Sequence, residues 1–327
     1  MSGCSPCSKR STAPRSGRPR RNWWARRWRW RSTSATRSST DASARFRRAA
    51  ELTDDPAARI AIRYRLAQAL LRAQAPEDAV DTAMEVLEAE EAAEAPAASR
   101  ADTLVLIARA LEAAGEAGRA VGASAYAAEL FEEGDLPAGA ASALVYRAKL
   151  LLRFGDVETA DGDAVTALTA AREQDDEPFL LADALHALAQ VRAAQGDAEA
   201  FALFDEAAGV AAAHEADWLV ADIDDSRARA HAGRGETDRA VACALQAADR
   251  FAAAGDAASG AGAELLAAQV LAGDGRAEEA AAIYRGILDR EGLPAQLVAV
   301  AALEAGDVFE SLGRPAEAAE ARAVAEG

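Results

Sequence analysis

The chain has 327 residues, of which 51% are hydrophobic and only 5% aromatic, and its net charge is −17. Ala makes up much of the hydrophobic share, which is too little bulk for one large globular core but suits helices packed at about 8–10 Å. No apolar run is long enough to cross a bilayer as a helix, and three cysteines without a framework point to a reducing cytoplasm.

The net charge hides two opposite pieces. Residues 1–50 hold fourteen Lys or Arg and one acid, Asp41, for +13, whereas the other 277 residues hold 22 basic and 52 acidic side chains, for −30. An acidic body of this kind repels nucleic acid and anionic lipid along most of its length. Polyanion contact is therefore expected only through the N-terminal arm.

That arm, residues 1–40, is basic and rich in Arg and Trp. Three accounts of it stay open. An out-of-frame reading of a GC-rich gene yields such Arg, Ser, Pro and Trp runs. A genuine arm would bind phosphates through Arg while Trp23, Trp24, Trp28 and Trp30 stack on bases or sit at a lipid interface. A disordered tail without a role is the third. No apolar stretch follows the Arg pairs as a secretory signal would require. Cys4 and Cys7 form a lone Cys-x-x-Cys without the further ligands that zinc needs.

Residues 44–56, ARFRRAAELTDDP, read as a complete helix with Phe46, Ala49 and Leu52 on one face. A helical partner is expected before it, near 18–36, where aliphatic residues are almost missing. An open end of this kind invites dimerisation or aggregation.

From residue 56 onward two punctuation marks recur in one register. Pro56, Pro96, Pro137, Pro178 and Pro294, with Asp217 and Asp256 in the fifth and sixth places, mark helix starts at spacings of 38–41 residues. Gly115, Gly155, Gly196, Gly235, Gly275 and Gly313 mark turns, each answered by an Ala (Ala120, Ala160, Ala200, Ala240, Ala280, Ala318), and a degenerate turn runs from Gln74 to Ala79. Between the marks the apolar spacing is helical, as at Leu104, Ile107, Ala108 and Leu111. A fixed period of this size is the signature of a solenoid. The expected first helices (A) span 56–73, 96–113, 137–153, 178–194, 217–232, 256–272 and 294–311. Their partners (B) span 78–91, 118–132, 157–173, 198–213, 237–253, 277–290 and 315–325. Phe131 and Phe251 end B helices just before Gly134–Asp135 and Gly255–Asp256, where Gly is expected to supply a left-handed cap. The last helix is charged and weakly apolar, as the exposed end of a solenoid requires, so the C-terminus reads as natural.

With Ala108, Ala148, Ala189, Ala228, Ala268 and Gly306 midway along the A helices, and turns such as FGDVETA, QGDAEA, RGETDRA and DGRAEEA, residues 41–327 resemble the tetratricopeptide repeat family. The period is longer than that family's usual one and the aromatic A positions are mostly aliphatic. The long period resembles the loose repeats of bacterial LuxR-type and antibiotic-regulatory-type activators, and the Ala/Arg/Gly composition resembles GC-rich actinobacterial proteins. The resemblance implies an all-α, right-handed α–α superhelix of about seven hairpins whose A helices line a concave groove for peptides or helices.

Carried onto this sequence, the polar groove positions are Asp102, Arg109, Lys149, Arg153, Asp183, His186, Gln190, Asp222, Asp225, Arg229 and Gln269. Lys149 is the one Lys in residues 41–327, and Arg153 lies one turn beyond it. Such a pair could grip a partner's carboxylate. The competing reading is that these charges pair within the chain, between neighbouring repeats, and contribute little each. The family's chaperone-tail clamp needs groove Asn and Lys, but Asn22 in the arm is this chain's one Asn.

No catalytic or cofactor constellation accompanies the repeat. His186, His214 and His231 fall on separate expected helices, and no His-Glu-x-x-His, phosphate loop or nucleophile elbow occurs. The expectation is a non-catalytic scaffold without a cofactor, binding a protein or peptide partner. The alternatives are the sensory or assembly part of a larger transcriptional regulator, and a nucleic-acid adaptor anchored by the basic arm. Charge reversal at Lys149 and Arg153 is expected to weaken partner binding without unfolding.

Overall fold

The computed structural model describes residues 36–174 and 176–326. The Arg/Trp arm, Cys4 and Cys7, and residues 18–35 of the place expected for a partner helix lie outside the described residues. Those described form fifteen α-helices and no strand. The first, α1 (Thr36–Leu52), begins upstream of the segment from Ala44 read as helical and precedes seven hairpins. These are α2 (Pro56–Arg72) with α3 (Pro76–Ala92), α4 (Ala97–Ala113) with α5 (Ala117–Glu133), α6 (Pro137–Arg153) with α7 (Val157–Arg172) and α8 (Pro178–Ala194) with α9 (Glu199–Ala213). Then follow α10 (Asp217–Gly233) with α11 (Thr237–Ala253), α12 (Ala257–Gly273) with α13 (Ala277–Leu288) and α14 (Ala295–Ser311) with α15 (Pro315–Glu326). The expected all-α superhelical repeat is what forms.

Two columns of small residues hold each hairpin together. In the A helices Ala67, Ala108, Ala148, Ala189, Ala228 and Ala268 are wholly buried, with Gly306 buried at the same place in α14. In the B helices Ala79, Ala120, Ala160, Ala200, Ala240 and Ala280 are wholly buried, and Ala318 nearly so. A methyl group or less at each crossing lets the helix backbones approach closely, while Leu, Ile and Phe fill the flanks.

Helix ends explain the punctuation. In each A–B turn one residue takes the left-handed conformation: Gly in the last six, and Gln74 (φ +60°) in the first. The following backbone N–H then returns to the helix, as Glu116 N does to Leu111 O at 2.8 Å and Asp156 N to Leu151 O at 3.1 Å. A side chain in that conformation costs roughly 1 kcal/mol that Gly avoids.

Three local expectations are corrected. Asp135 (φ +53°), not Gly134 (φ −82°), is the left-handed residue after α5, whereas Gly255 (φ +78°) does fill that place after α11. Each helix ends two residues after its Phe, at Glu133 and Ala253, so the two Gly–Asp steps are offset by one residue. Pro96 and Pro294 cap α4 and α14 from just outside instead of starting them. Asp55 and Asp256 cap α2 and α12 with their carboxylates, but Asp217 is already the first residue of α10.

Candidate partner-binding groove

Counting from each helix start, the sixth, ninth and thirteenth residues of an A helix share one face. Along the stack this inner face reads Ala61, Tyr64, Gln68; Asp102, Val105, Arg109; Ser142, Val145, Lys149; Asp183, His186, Gln190; Asp222, Asp225, Arg229; Gly262, Leu265, Gln269; Val300, Leu303, Asp307. The sequence-derived candidates are the polar members of this face from Asp102 to Gln269 other than Ser142, together with Arg153 one turn beyond Lys149; Tyr64, Gln68, Ser142 and Asp307 are not among them.

Most of these side chains join one A helix to the next. Lys149 Nζ of α6 donates to Asp183 Oδ1 of α8 at 2.7 Å. Arg153 pairs with Glu112 of α4, whose carboxylate also accepts from the Tyr146 hydroxyl. Burial first, and the Glu112 charge second, push the Tyr146 phenol well above its ordinary range. His186 Nε2 lies 2.8 Å from Ser226 Oγ of α10, which also accepts from Gln190 Nε2 at 2.8 Å. Asp222 is 3.9 Å from His186 Nδ1, and Gln269 donates to Glu304 of α14 at 3.0 Å. Arg229 pairs within α10, with Asp225 at 3.0 Å. Arg109 sits 6.0 Å from the centre of the Tyr146 ring. Asp102 is exposed on α4 and adds to the upward push that burial gives the Tyr64 phenol of α2.

Burial along this face is uneven. Ser142, Val145, Asp183 and His186 are all buried, so the α6–α8 stretch is closed. Asp102, Arg229 and Gln269 stay exposed. Two of the candidates, Asp183 and His186, are thus part of the inter-repeat packing in this conformation. Charge reversal at Lys149 would set a carboxylate against buried Asp183, so the expectation of an innocuous change there is revised: the lysine supports the fold.

A second polar feature went unread in the sequence. The eighth A-helix position holds buried Leu104, Leu144 and Leu185 in the second to fourth hairpins but Asp224 in the fifth and Glu264 in the sixth. Asp224 is buried at 3.2 Å from Arg250 and 3.5 Å from Arg227, and Arg227 also reaches Asp205 at 2.9 Å. Burial raises the Asp224 carboxyl above its ordinary value, against the pull of both arginines. Glu264 pairs with Arg290 at 2.9 Å. Lining up the seven A helices by position would have exposed this exchange of Leu for acid.

His214 is exposed with its ring 6.0 Å from that of Phe179, while His231 and Cys243 have structural surroundings. His231 Nδ1 is 2.8 Å from Glu236, and its ring stacks on Phe201 at 4.4 Å. Cys243 packs beside a cluster of Ala228, Ala244, Leu266 and Ala267. Among the described residues, no group of three or more His, Cys, Asp or Glu is placed to hold a metal ion. Among them, too, no helix is long and apolar enough to cross a membrane.

The fold is that of tetratricopeptide-like repeat proteins. The chain is similar to a signal transduction ATPase with numerous domains from Pyrococcus horikoshii, which carries a tetratricopeptide repeat sensor, at a TM-score of 0.61 and 14% identity over 92% of this chain and 46% of that one. It is similar to a Rap protein complexed with Competence and Sporulation Factor, at a TM-score of 0.58 and 18% identity over 81% of this chain and 74% of that one. It is also similar to aspartyl phosphate phosphatase F from Bacillus subtilis, at a TM-score of 0.58 and 14% identity over 82% and 70%. No protein-family model matches the chain, and none of the curated proteins does.

Proposed function

We propose that this chain is a non-catalytic protein–protein interaction scaffold whose A-helix face takes a segment of a partner. The observation that carries the reading is the inner face itself: seven A helices present their sixth, ninth and thirteenth residues in register, rigidly spaced by small-residue crossings and inter-helix hydrogen bonds. A preformed, pre-ordered surface binds at lower entropic cost than a mobile one. The likeness to a Rap protein captured with a bound factor supports a binding role. Asp102, Arg109, Arg153, Asp222, Asp225 and Arg229 are the proposed groove charges, with Lys149, Asp183, His186 and Gln190 holding them in place from behind.

A photo-crosslinking residue at Arg229 or Gln269, both exposed on A helices, and at Glu158 on the B helix α7, tests this. Discrete adducts from the two inner positions and not from Glu158, in extract of the producing cells, are the expected result. Equal capture from all three sites would sink the reading.

A second reading is the sensor part of a larger signalling protein. It is supported by the likeness to a multidomain ATPase of which this chain spans under half the length. The intact mass of the natively expressed protein separates the two, because only the second requires a chain longer than Met1–Gly327.

A further inference from the structure

The inner face changes character at its C-terminal end. In α14 its ninth residue, Leu303, is 54% exposed and the sixth, Val300, is 39% exposed. On α12 the equivalent places hold half-buried Leu265 and Gly262. Leu265 and Leu297 pack against the buried cluster that includes Ala301, Ala305 and Phe309, so the two helices share one apolar floor. A β-carbon added to Gly262 would meet nothing closer than Leu297 Cδ1 at 4.0 Å, so this place on the face is open. Isolated exposed leucines need no explanation, but an i, i+3 pair continued by a third aliphatic residue on the neighbouring helix is a patch.

The rim of this patch is acidic and under-neutralised. Glu304 accepts from Gln269 Nε2 and from the Tyr284 hydroxyl at 3.1 Å, both neutral donors, and among the described residues no cation lies within salt-bridge distance of it. Asp307 and Glu310 share one guanidinium, that of Arg322, at 2.9 and 2.6 Å. Three carboxylates face one cation. A second copy of this acidic body would be repelled from such a rim, as would nucleic acid or an anionic membrane.

Resting on the scaffold reading above, we infer that the α12–α14 end of the groove is the docking site for a partner segment that presents an aliphatic side chain next to a Lys or Arg. The aliphatic group fills the Leu265–Val300–Leu303 floor, and the cation meets Glu304 and the Asp307–Glu310 pair.

The test is a random peptide library displayed on phage and selected on the full chain, with affinities of the winners measured by fluorescence anisotropy. Winners are expected to pair an aliphatic residue with Lys or Arg within one helical turn. Val300→Ser combined with Leu303→Ser should weaken them about tenfold or more. Glu304→Gln should weaken them several-fold, and Glu158→Gln, on the B helix α7, should leave them unchanged. Both changed aliphatic side chains are exposed, so an unaltered helix signal and melting temperature should accompany the loss. Winners unaffected by the double substitution but weakened by Arg229→Glu would leave the scaffold reading standing and overturn this one. Acidic winners, or no winner from a folded chain, would overturn it as well. So would a dimer in sedimentation velocity that the double substitution turns into a monomer, because the occupant would then be a second copy.

Discussion

The third and fourth hairpins and the seventh place the same positions in opposite surroundings. Val145 and His186, each the ninth residue of its A helix, are wholly buried, whereas Leu303 at the same place in α14 is 54% exposed. The middle pair of A helices is joined by Lys149–Asp183, and Ala141 and Ala182 on the same two helices are buried. A groove position is therefore buried in the centre of this stack and exposed at its end, although the repeat assigns both the same number.

Three tests sharpen or break that contrast. The largest effect is expected from Lys149→Met, which takes the cation from buried Asp183 and should cost about 3 kcal/mol in urea unfolding. A loss no larger than that of Gln269→Ala, roughly 1 kcal/mol for an exposed hydrogen bond, would mean the central closure is not electrostatic.

Next, Val145→Ala should cost about 2 kcal/mol, from lost burial plus the cavity left behind. Leu303→Ala should stay within about 0.5 kcal/mol, as exposed substitutions do. Equal losses at the two sites, read from thermal or urea midpoints, would erase the distinction between closed and open ends.

The smallest effect concerns the polar seam between them. Asp224→Leu restores the residue type of the three preceding hairpins; Arg227 keeps Asp205 and Arg250 reaches solvent, so no buried charge is left alone and the chain should gain about 1 kcal/mol at neutral pH. The Asp224 carboxyl is raised in the folded state, so the folded chain holds its proton more tightly than the unfolded one does. The stability this confers is complete below the ordinary carboxylate range and is lost as pH rises through the folded value. The advantage of the Leu variant should accordingly shrink on acidification. A gain that grew as pH fell would contradict the burial argument.

Much of this architecture was legible in the residues. Helix boundaries followed from Pro, Asp and Gly because those residues act on the backbone locally, through a fixed φ, a side-chain cap or access to the left-handed region. Ala columns were legible for a similar reason: a crossing tolerates only a small side chain, whatever its neighbours are. The exceptions are instructive. Asp135, Gln74, Glu94 and Glu215 adopt the left-handed conformation without being Gly, because packing of the flanking helices outweighs the local cost. At the site, reading polar residues alone found the inter-repeat pairs but passed over Leu265, Val300 and Leu303, whose aliphatic periodicity looks like core.

By itself the sequence determined the class of fold, the number of hairpins after residue 56 and the face on which each A-helix residue lies, since period, capping and side-chain size act within one or two turns of chain. Only the tertiary structure decided which of those faces is closed and which is open. That depends on contacts between residues 34–41 positions apart, such as Lys149 with Asp183 and Arg153 with Glu112. Exposure is a property of the neighbours a residue acquires, and no residue carries its neighbours in its own identity.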